Sequence, residues 1–308
     1  MTPNGPTADH YANRRRAVSE KIANERAVLF IPGSAEAIYS NDVHYKYRPN
    51  SNIRYLTGFE EPASLMISAC GDDTDGFTLF VPSKDPQAEV WTGRRAGVEG
   101  ARSAYGANDA YPLDQQFELL GKRLKSADRL YFSVTHDAAI NQRVFEAVRD
   151  ANAGRPRTGA NAATVVDAGE LLDEMRLFKA DEEVELLAKA CEISASAHRR
   201  AMETLRPGFI EHQVEALLEF EFRNGGCAGP AYPTIAAGGA NATILHYTAN
   251  EMPLTDDQLL LIDAGGEYGG YCADITRTVP VGAGFTKSQA MLYDTVLAAQ
   301  QAMLILPM

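Results

Sequence analysis

The segment Leu259–Val281, LLLIDAGGEYGGYCADITRTVPV, decides the fold of the second half of the chain. It begins with the apolar run Leu259–Ile262 and ends with Ile275–Val281, which is rich in threonine and other β-branched residues. Glycines and polar residues separate the two runs, a pattern typical of antiparallel strands joined by a tight turn. The segment therefore predicts a β-hairpin.

The predicted hairpin brings two aspartates together. A two-residue loop at Tyr268 and Gly269 would make Asp263 the direct cross-strand partner of Asp274. Directly opposed residues share a face of the sheet with Cβ atoms about 4.5–5.5 Å apart, and like charges placed there destabilise the pairing. The nearest basic residue, Arg277, points to the opposite face. One or two divalent cations would account for the pair, but aspartates beside Gly-Gly are also common turn residues, so the spacing alone leaves both interpretations open.

Composition restricts the class of protein. The 308 residues are 45% hydrophobic and 23% charged, which is typical of a globular protein with two domains. A net charge of −12 argues against a nucleic-acid partner, because phosphate binding requires clustered Lys and Arg. No stretch reaches the roughly 18 apolar residues of a membrane span, and the first residues lack the apolar core of a secretory signal. We therefore expect no membrane partner. The four cysteines form no CxxC pair, which fits a reducing compartment, so we expect a cytoplasmic protein.

Secondary-structure patterns divide the chain into residues 1–172 and 173–308. Alternating helices and strands in the first part predict an α/β domain with a partly parallel sheet. Its predicted helices are Ala8–Ala23, Leu113–Leu124 and Ala138–Asp150, and its predicted strands are Ala27–Ile31, Ser64–Ala69, Phe77–Val81 and Leu130–Val134. The second part has a longer helical periodicity on either side of the hairpin. Its predicted helices are Asp181–Leu205, Glu211–Phe222 and Lys287–Leu306.

Five motifs, spread over nearly the whole chain, resemble those of the Xaa-Pro aminopeptidase (aminopeptidase P) family of "pita-bread" metallopeptidases. They are YKYRPNSNIRYLTGFEEPASLMI at Tyr45–Ile67, EVWTGRR at Glu89–Arg95, ILHYTANE at Ile244–Glu251, LIDAGGEYGGYCADITRTVPV at Leu261–Val281 and FTKSQAMLYDTVL at Phe285–Leu297. The first two resemble the family's α/β N-terminal domain of the creatinase/aminopeptidase P type. The other three resemble the first half of the α+β pita-bread domain.

The resemblance implies roles for five residues. Asp263 and Asp274 match metal ligands, the second of which bridges two divalent ions, usually manganese. His246 matches a histidine that lines the active site and helps to bind the substrate or the transition state, and it is the expected catalytic residue. Tyr232, in the segment PAYPT, matches the region that shapes the substrate pocket. Trp91, the single tryptophan, matches a residue that a neighbouring subunit brings near the active site.

The resemblance also implies an activity. Family enzymes are metal-dependent exopeptidases that remove the N-terminal residue from peptides with proline at the second position, and they form dimers or tetramers. Their complete site takes one His and two Glu from the later part of the pita-bread domain, and the helix predicted after Asp274 contains neither. We therefore expect an incomplete pita-bread domain that is inactive when these residues stand alone. Two alternatives stay open: a non-catalytic interaction or oligomerisation module, and a prolidase-type Xaa-Pro dipeptidase.

Overall fold

The computed structural model describes residues 6–34, 36–70, 76–135, 137–153, 155 and 163–305. Contacts divide the chain into two units, the first ending at Lys179 and the second beginning at Ala180. The boundary expected after residue 172 falls inside the helix Gly169–Leu177, in which Leu171 and Leu172 pack into the core of the first unit. The boundary between the two units therefore lies after the end of this helix.

The first unit is built around one mixed β-sheet. Its strands are β1 (Ala27–Ile31), β2 (Ile38–Ser40), β3 (Val43–His44), β4 (Ser64–Ala69), β5 (Gly76–Val81), β6 (Asp109–Pro112), β7 (Arg129–Tyr131) and β8 (Thr164–Val166). Six of them form a sheet in the order β6-β5-β4-β1-β7-β8, with β2 and β3 in a separate hairpin. The pairs β5–β6, β1–β7 and β7–β8 are parallel, and the other two pairs are antiparallel. The prediction of an α/β domain with a partly parallel sheet is confirmed.

Helices surround the sheet of the first unit. They are α1 (Ala8–Ala23), α2 (Ser51–Thr57), α3 (Pro86–Thr92), α4 (Gly97–Tyr105), α5 (Gln116–Leu124), α6 (Ala138–Ala153) and α7 (Gly169–Leu177). All five residues of β1 are buried, because apolar layers cover both faces of this central strand. Strand β7 ends at Tyr131, earlier than predicted. The residues that follow it form side-chain hydrogen bonds with the first turns of α6. There Asn141 Oδ1 accepts from the Thr135 amide, and Asp137 Oδ1 accepts from the Ala139 amide.

The second unit packs two long helices against a small antiparallel sheet. Its elements are α8 (Asp181–Thr204), α9 (Glu211–Asn224), β9 (Ile235–Gly238), β10 (Leu259–Asp263), β11 (Glu267–Tyr268), β12 (Tyr271–Cys272), β13 (Thr276–Pro280) and α10 (Lys287–Ile305). Strands β13, β10 and β9 form the sheet in that order, and β11 pairs with β12. The apolar core joins the inner faces of α8 and α9 to β9 and β10.

The register of the hairpin differs from the prediction. The two-residue loop is Gly269-Gly270, so that Asp263 pairs with Thr276 and not with Asp274. Both loop glycines have positive φ angles, of 59° and 88°. Tight hairpin turns require this backbone conformation, which glycine adopts without strain and tyrosine does not. The shift moves the pairing by two residues, which preserves the face on which each side chain lies.

Helix α10 carries many exposed apolar side chains. They include Met291, Leu292, Val296, Met303 and Leu304, each between 61% and 80% exposed. Across the described part of the chain, the helices are too short or too polar to span a membrane.

Candidate metal centre

A pocket of about 310 Å³ in the second unit brings together four of the five predicted site residues. Each of the four comes from a different stretch of sequence, and Asp263 is the last residue of β10. The residues lining the pocket are Tyr232, Pro233, Ile235, His246, Thr248, Asp263 and Asp274. Trp91, the fifth, lies in the first unit on α3, where it is 89% exposed, and it does not line this pocket.

The hydroxyl of Tyr232 links the two aspartates. Its oxygen lies 2.6 Å from Asp263 Oδ1 and 3.2 Å from Asp274 Oδ1. Burial, the hydrogen bond to Asp263 and the two negative charges raise the pKa of Tyr232 far above its ordinary value. The phenol is therefore protonated at neutral pH, and its single proton is donated to one carboxylate at a time. The remaining carboxylate oxygens stay available to other ligands.

The backbone of Ala264–Gly266 is hydrogen-bonded to the segments that carry Asp274 and Tyr232. The Ala264 amide donates to the carbonyl of Ile275, and the Gly266 carbonyl accepts from the amide of Ala273. These two bonds flank Asp274. The Gly265 carbonyl accepts from the amide of Ala231, which precedes Tyr232. Three backbone bonds thus connect the strand end that carries Asp263 to the neighbours of both Asp274 and Tyr232.

Gly265 makes this close approach possible. A Cβ atom at residue 265 would lie 1.8 Å from the carbonyl oxygen of Ala273, a distance that no real side chain tolerates. A side chain would push the Asp274 segment away from β10. The absence of a side chain at Gly265 therefore serves close backbone packing.

The loop that carries His246 is fixed by a buried carboxylate. Glu211, at the start of α9, is fully buried. Its Oε1 accepts from the Gly238 amide at 2.8 Å and from Asn241 Nδ2 at 3.0 Å. Its Oε2 accepts from the Tyr247 hydroxyl at 2.7 Å and from the Met252 amide at 3.0 Å. Burial alone would raise the pKa of Glu211, but the four hydrogen bonds outweigh burial and hold the pKa below its ordinary value.

A buried asparagine fixes the far end of the same loop. Asn250 is fully buried and has a φ of 50°, a left-handed conformation that asparagine tolerates better than most residues. Its Oδ1 accepts from the Ala236 amide, and its Nδ2 donates to Glu215 Oε2 and to the carbonyl of Thr234. Between the contacts with Glu211 and Asn250 the loop is mostly exposed, and the side chain of His246 lines the pocket.

The residues in the pocket suit a hard divalent cation. Two carboxylates and a neighbouring hydroxyl offer oxygen ligands, the type that Mn²⁺, Mg²⁺ and similar ions prefer. A cation bound between the two carboxylates would offset the repulsion of their charges. Within the described residues, no group of three or more His, Cys, Asp or Glu side chains is placed to hold a metal ion. The described part of the pocket therefore offers two carboxylates to a cation.

Sequence reasoning missed the residues that support the pocket. Glu211, Asn250 and two buried side chains of α8, Ser194 and His198, make their contacts with segments distant along the chain. Glu211 gives an ordinary helix-start signal, and Ser194 and His198 fall on the periodic inner face of α8. Their hydrogen-bond partners depend on the tertiary fold, so no local pattern marks them.

Comparisons with known proteins agree with this fold and this pocket. The profile of "Aminopeptidase P, N-terminal domain" matches residues 11–131, and that of "Metallopeptidase family M24" matches residues 185–305. The chain is 38% identical, over 295 residues, to the Xaa-Pro aminopeptidase of Escherichia coli (strain K12), covering 96% of this chain and 67% of that protein.

Solved structures give the same result. Proline aminopeptidase P II from Yersinia pestis superposes with a TM-score of 0.89 at 44% identity, over 96% of this chain and 68% of that one. Zinc-substituted E. coli aminopeptidase P in complex with product superposes with a TM-score of 0.89 at 38% identity, over 97% of this chain and 68% of that one. The chain thus spans about two thirds of the length of these relatives.

Fold and pocket together define an α/β N-terminal domain followed by pita-bread structure of the M24 metallopeptidase class. The chain belongs to the aminopeptidase P family of M24 metallopeptidases, which are metalloaminopeptidases. Membership of this family implies the use of divalent metal ions. The comparisons favour neither the interaction-module nor the prolidase alternative.

Proposed function

We propose that this protein is a metal-dependent exopeptidase that removes the N-terminal residue from peptides with proline at the second position. The observation that carries the proposal is the pair Asp263 and Asp274, linked by the hydroxyl of Tyr232 in a pocket that also contains His246. The names of the similar proteins, Xaa-Pro aminopeptidase and proline aminopeptidase, support the choice of substrate.

Asp263 and Asp274 are the proposed metal ligands, with Mn²⁺ as the native ion and two ions in the complete centre. Carboxylate oxygens suit this hard cation. When bound, such ions polarise a carbonyl and lower the pKa of water, which makes a nucleophile available at neutral pH. Tyr232 donates its proton to Asp263 and thereby fixes the orientation of that carboxylate.

His246 is the proposed catalytic residue of the described chain. Its loop position places an imidazole at the pocket, where it can donate a hydrogen bond to the oxygen of the scissile carbonyl as negative charge develops there. Pro233 and Ile235 provide apolar surface in the same pocket, which suits the ring of a substrate proline. Tyr232 is proposed to shape this substrate site as well as to orient Asp263.

The exposed Trp91 is proposed to act in an assembled homo-oligomer, a dimer or tetramer, by contacting substrate in the site of a neighbouring subunit. A large apolar side chain that is 89% exposed suits burial against a second surface. We also propose a cytoplasmic location, since the four cysteines are free, which fits a reducing compartment. Size-exclusion chromatography with light scattering tests the assembly, and cell fractionation tests the location.

The decisive experiment measures Mn²⁺-dependent hydrolysis of an Xaa-Pro peptide by the 308-residue chain, with bound metal quantified in the same sample. The variant Asp274→Ala should abolish metal binding, whereas Asp294→Ala, an exposed aspartate of α10, should leave it unchanged. Metal retained by Asp274→Ala would overturn the proposed ligand. Hydrolysis of an Xaa-Ala peptide as fast as Xaa-Pro would overturn the proposed specificity. Activity in the unmodified chain would refute the expectation that these residues are inactive alone.

A further inference from the structure

Two buried side chains of α8 contact the backbone immediately after Asp263. Ser194 is fully buried, and His198 is 2% exposed. They are four residues apart and therefore lie on one face of the helix. The Gly266 amide donates to Ser194 Oγ at 2.9 Å, and the Ala264 carbonyl lies 2.9 Å from His198 Nε2.

The hydrogen-bonding roles of both side chains are determined by their partners. A carbonyl oxygen can only accept, so His198 Nε2 carries the proton and donates it to Ala264. The Ser194 hydroxyl donates to the carbonyl of Ala190 at 2.7 Å, which leaves its lone pair for the Gly266 amide. Neither arrangement can be exchanged for an apolar contact without leaving a buried backbone group unpaired.

These two contacts fix the backbone of Ala264–Gly266, which is also bonded to the other segments of the pocket. As described above, Ala264–Gly266 is bonded on its other side to residues adjacent to Asp274 and Tyr232. A displacement of this segment would therefore move both carboxylates and the hydroxyl together. Groups that orient metal ligands without touching the metal commonly change its affinity by about 10–100-fold.

The second ring nitrogen of His198 is unpaired within the described part of the chain. Its Nδ1 atom is buried and has no hydrogen-bond partner among the residues that the structure describes. An unpaired buried polar atom is unfavourable, and an apolar residue would remove it but would leave the Ala264 carbonyl without its donor. The contact that the imidazole makes here is therefore the bond from Nε2 to the Ala264 carbonyl.

We propose that Ser194 and His198 are positioning residues of the metal centre, acting through the backbone of Ala264–Gly266 to set the separation of Asp263 and Asp274. The inference rests on the proposed function, because it requires these aspartates to be metal ligands. It goes beyond that function by placing the control of metal affinity on α8, outside the pocket.

The test compares histidine replacements that differ in reach. The amide nitrogen of glutamine can occupy the place of His198 Nε2, whereas that of asparagine stops near Nδ1. Mn²⁺ affinity of the full chain is measured by water-proton relaxation, at a temperature where every variant is folded. His198→Asn and His198→Leu should weaken Mn²⁺ binding about tenfold, and His198→Gln should stay within about threefold of wild type. His212→Asn, at an exposed site on α9, is the matched control.

Hydrogen exchange supplies a readout independent of metal. Ser194→Ala removes the acceptor of the Gly266 amide, so exchange in the peptide containing Gly266 should accelerate and Mn²⁺ binding should weaken. Ser196→Ala, at an exposed position on the same helix, should change neither. Equal Mn²⁺ affinity in His198→Asn, His198→Gln and wild type would overturn the inference, as would unchanged exchange in Ser194→Ala.

The variant Asp274→Ala separates this inference from the proposed function. If Asp274→Ala abolishes Mn²⁺ binding while His198→Asn leaves it unchanged, the metal ligand stands and the positioning role is refuted. If Asp274→Ala itself binds Mn²⁺ like wild type, the proposed metal centre fails, and with it the positioning role.

Discussion

The buried carboxylate of Glu211 offers the sharpest test of how the His246 loop is held. The substitution Glu211→Gln keeps the size and shape of the side chain but replaces one acceptor oxygen with a donor. In the more favourable orientation, the amide oxygen keeps the bonds from Gly238 and Asn241. The amide nitrogen then faces the Tyr247 hydroxyl, which can rotate to accept, and the Met252 amide, which cannot.

The expected loss follows from these contacts. Hydrogen bonds to a charged acceptor stabilise a protein by about 1.5–3 kcal/mol each, and an unpaired buried donor costs about 1–3 kcal/mol. One orphaned amide and the loss of the negative charge together predict that Glu211→Gln lowers the free energy of unfolding by about 3 kcal/mol. Glu211→Ala leaves all four donors without this acceptor and should cost at least about 4 kcal/mol.

Urea denaturation of the 308-residue chain measures the change in the free energy of unfolding. Hydrogen exchange shows which segment is affected. Exchange should accelerate between Gly238 and Met252, where the anchored amides lie. Glu203→Gln, at an exposed position on α8, should stay within about 0.5 kcal/mol of wild type. A Glu211→Gln variant as stable as that control, with unchanged exchange in the loop, would refute the reasoning.

Acid provides an independent check on the same carboxylate. The folded-state pKa of Glu211 lies below its ordinary value, so its contribution to stability is present above the ordinary glutamate pKa of about 4.3. That contribution is lost as the pH falls through the folded-state pKa. The stability difference between wild type and Glu211→Gln should therefore shrink in acid below about pH 4 and be constant near neutrality.

Two further predictions concern the backbone and the exposed tryptophan. Gly265→Ala should destabilise the second unit by at least about 3 kcal/mol or prevent its folding, because the new Cβ would meet the Ala273 carbonyl at 1.8 Å. Gly284→Ala, with no atom within 4 Å of the new Cβ, should melt like wild type in the same thermal scan, and equal melting of both variants would contradict the packing role. Trp91→Ala should leave the melting temperature unchanged, since the side chain is 89% exposed, but weaken binding of an Xaa-Pro peptide by the assembled oligomer. Equal peptide affinity would remove Trp91 from the substrate site.

Local sequence patterns were sufficient for most of the elements and for the association of the two aspartates. Helix α1 and strands β1 and β4 begin and end at the predicted residues because their apolar periodicity and flanking breakers agree. The hairpin loop was misplaced by one residue, although the positive φ required at both turn positions favours Gly269-Gly270. Because that error changes the pairing by two residues, the aspartates still share a face.

The supporting contacts could not be predicted in the same way. The bond from Tyr232 to Asp263 joins residues 31 positions apart, and the bond from His198 to Ala264 joins residues 66 positions apart. Polarity and spacing identify a residue as a candidate for a site, but they do not state which backbone group it will meet. Those partners follow from the packing of α8 and α9 against the sheet.

The arrangement places ligands and supports on different kinds of structure. The aspartates and His246 lie at a strand end and in loops, where side chains reach the pocket and the backbone can bend. The side chains that fix them, on α8 and at the start of α9, belong to helices whose inner faces are packed in the apolar core. A site on loops acquires rigidity only if buried hydrogen bonds connect it to such elements, because loops alone cannot hold ligands at a constant separation. Ser194, His198, Glu211 and Asn250 make such bonds, and substitutions there should change metal affinity and loop exchange before they unfold the chain.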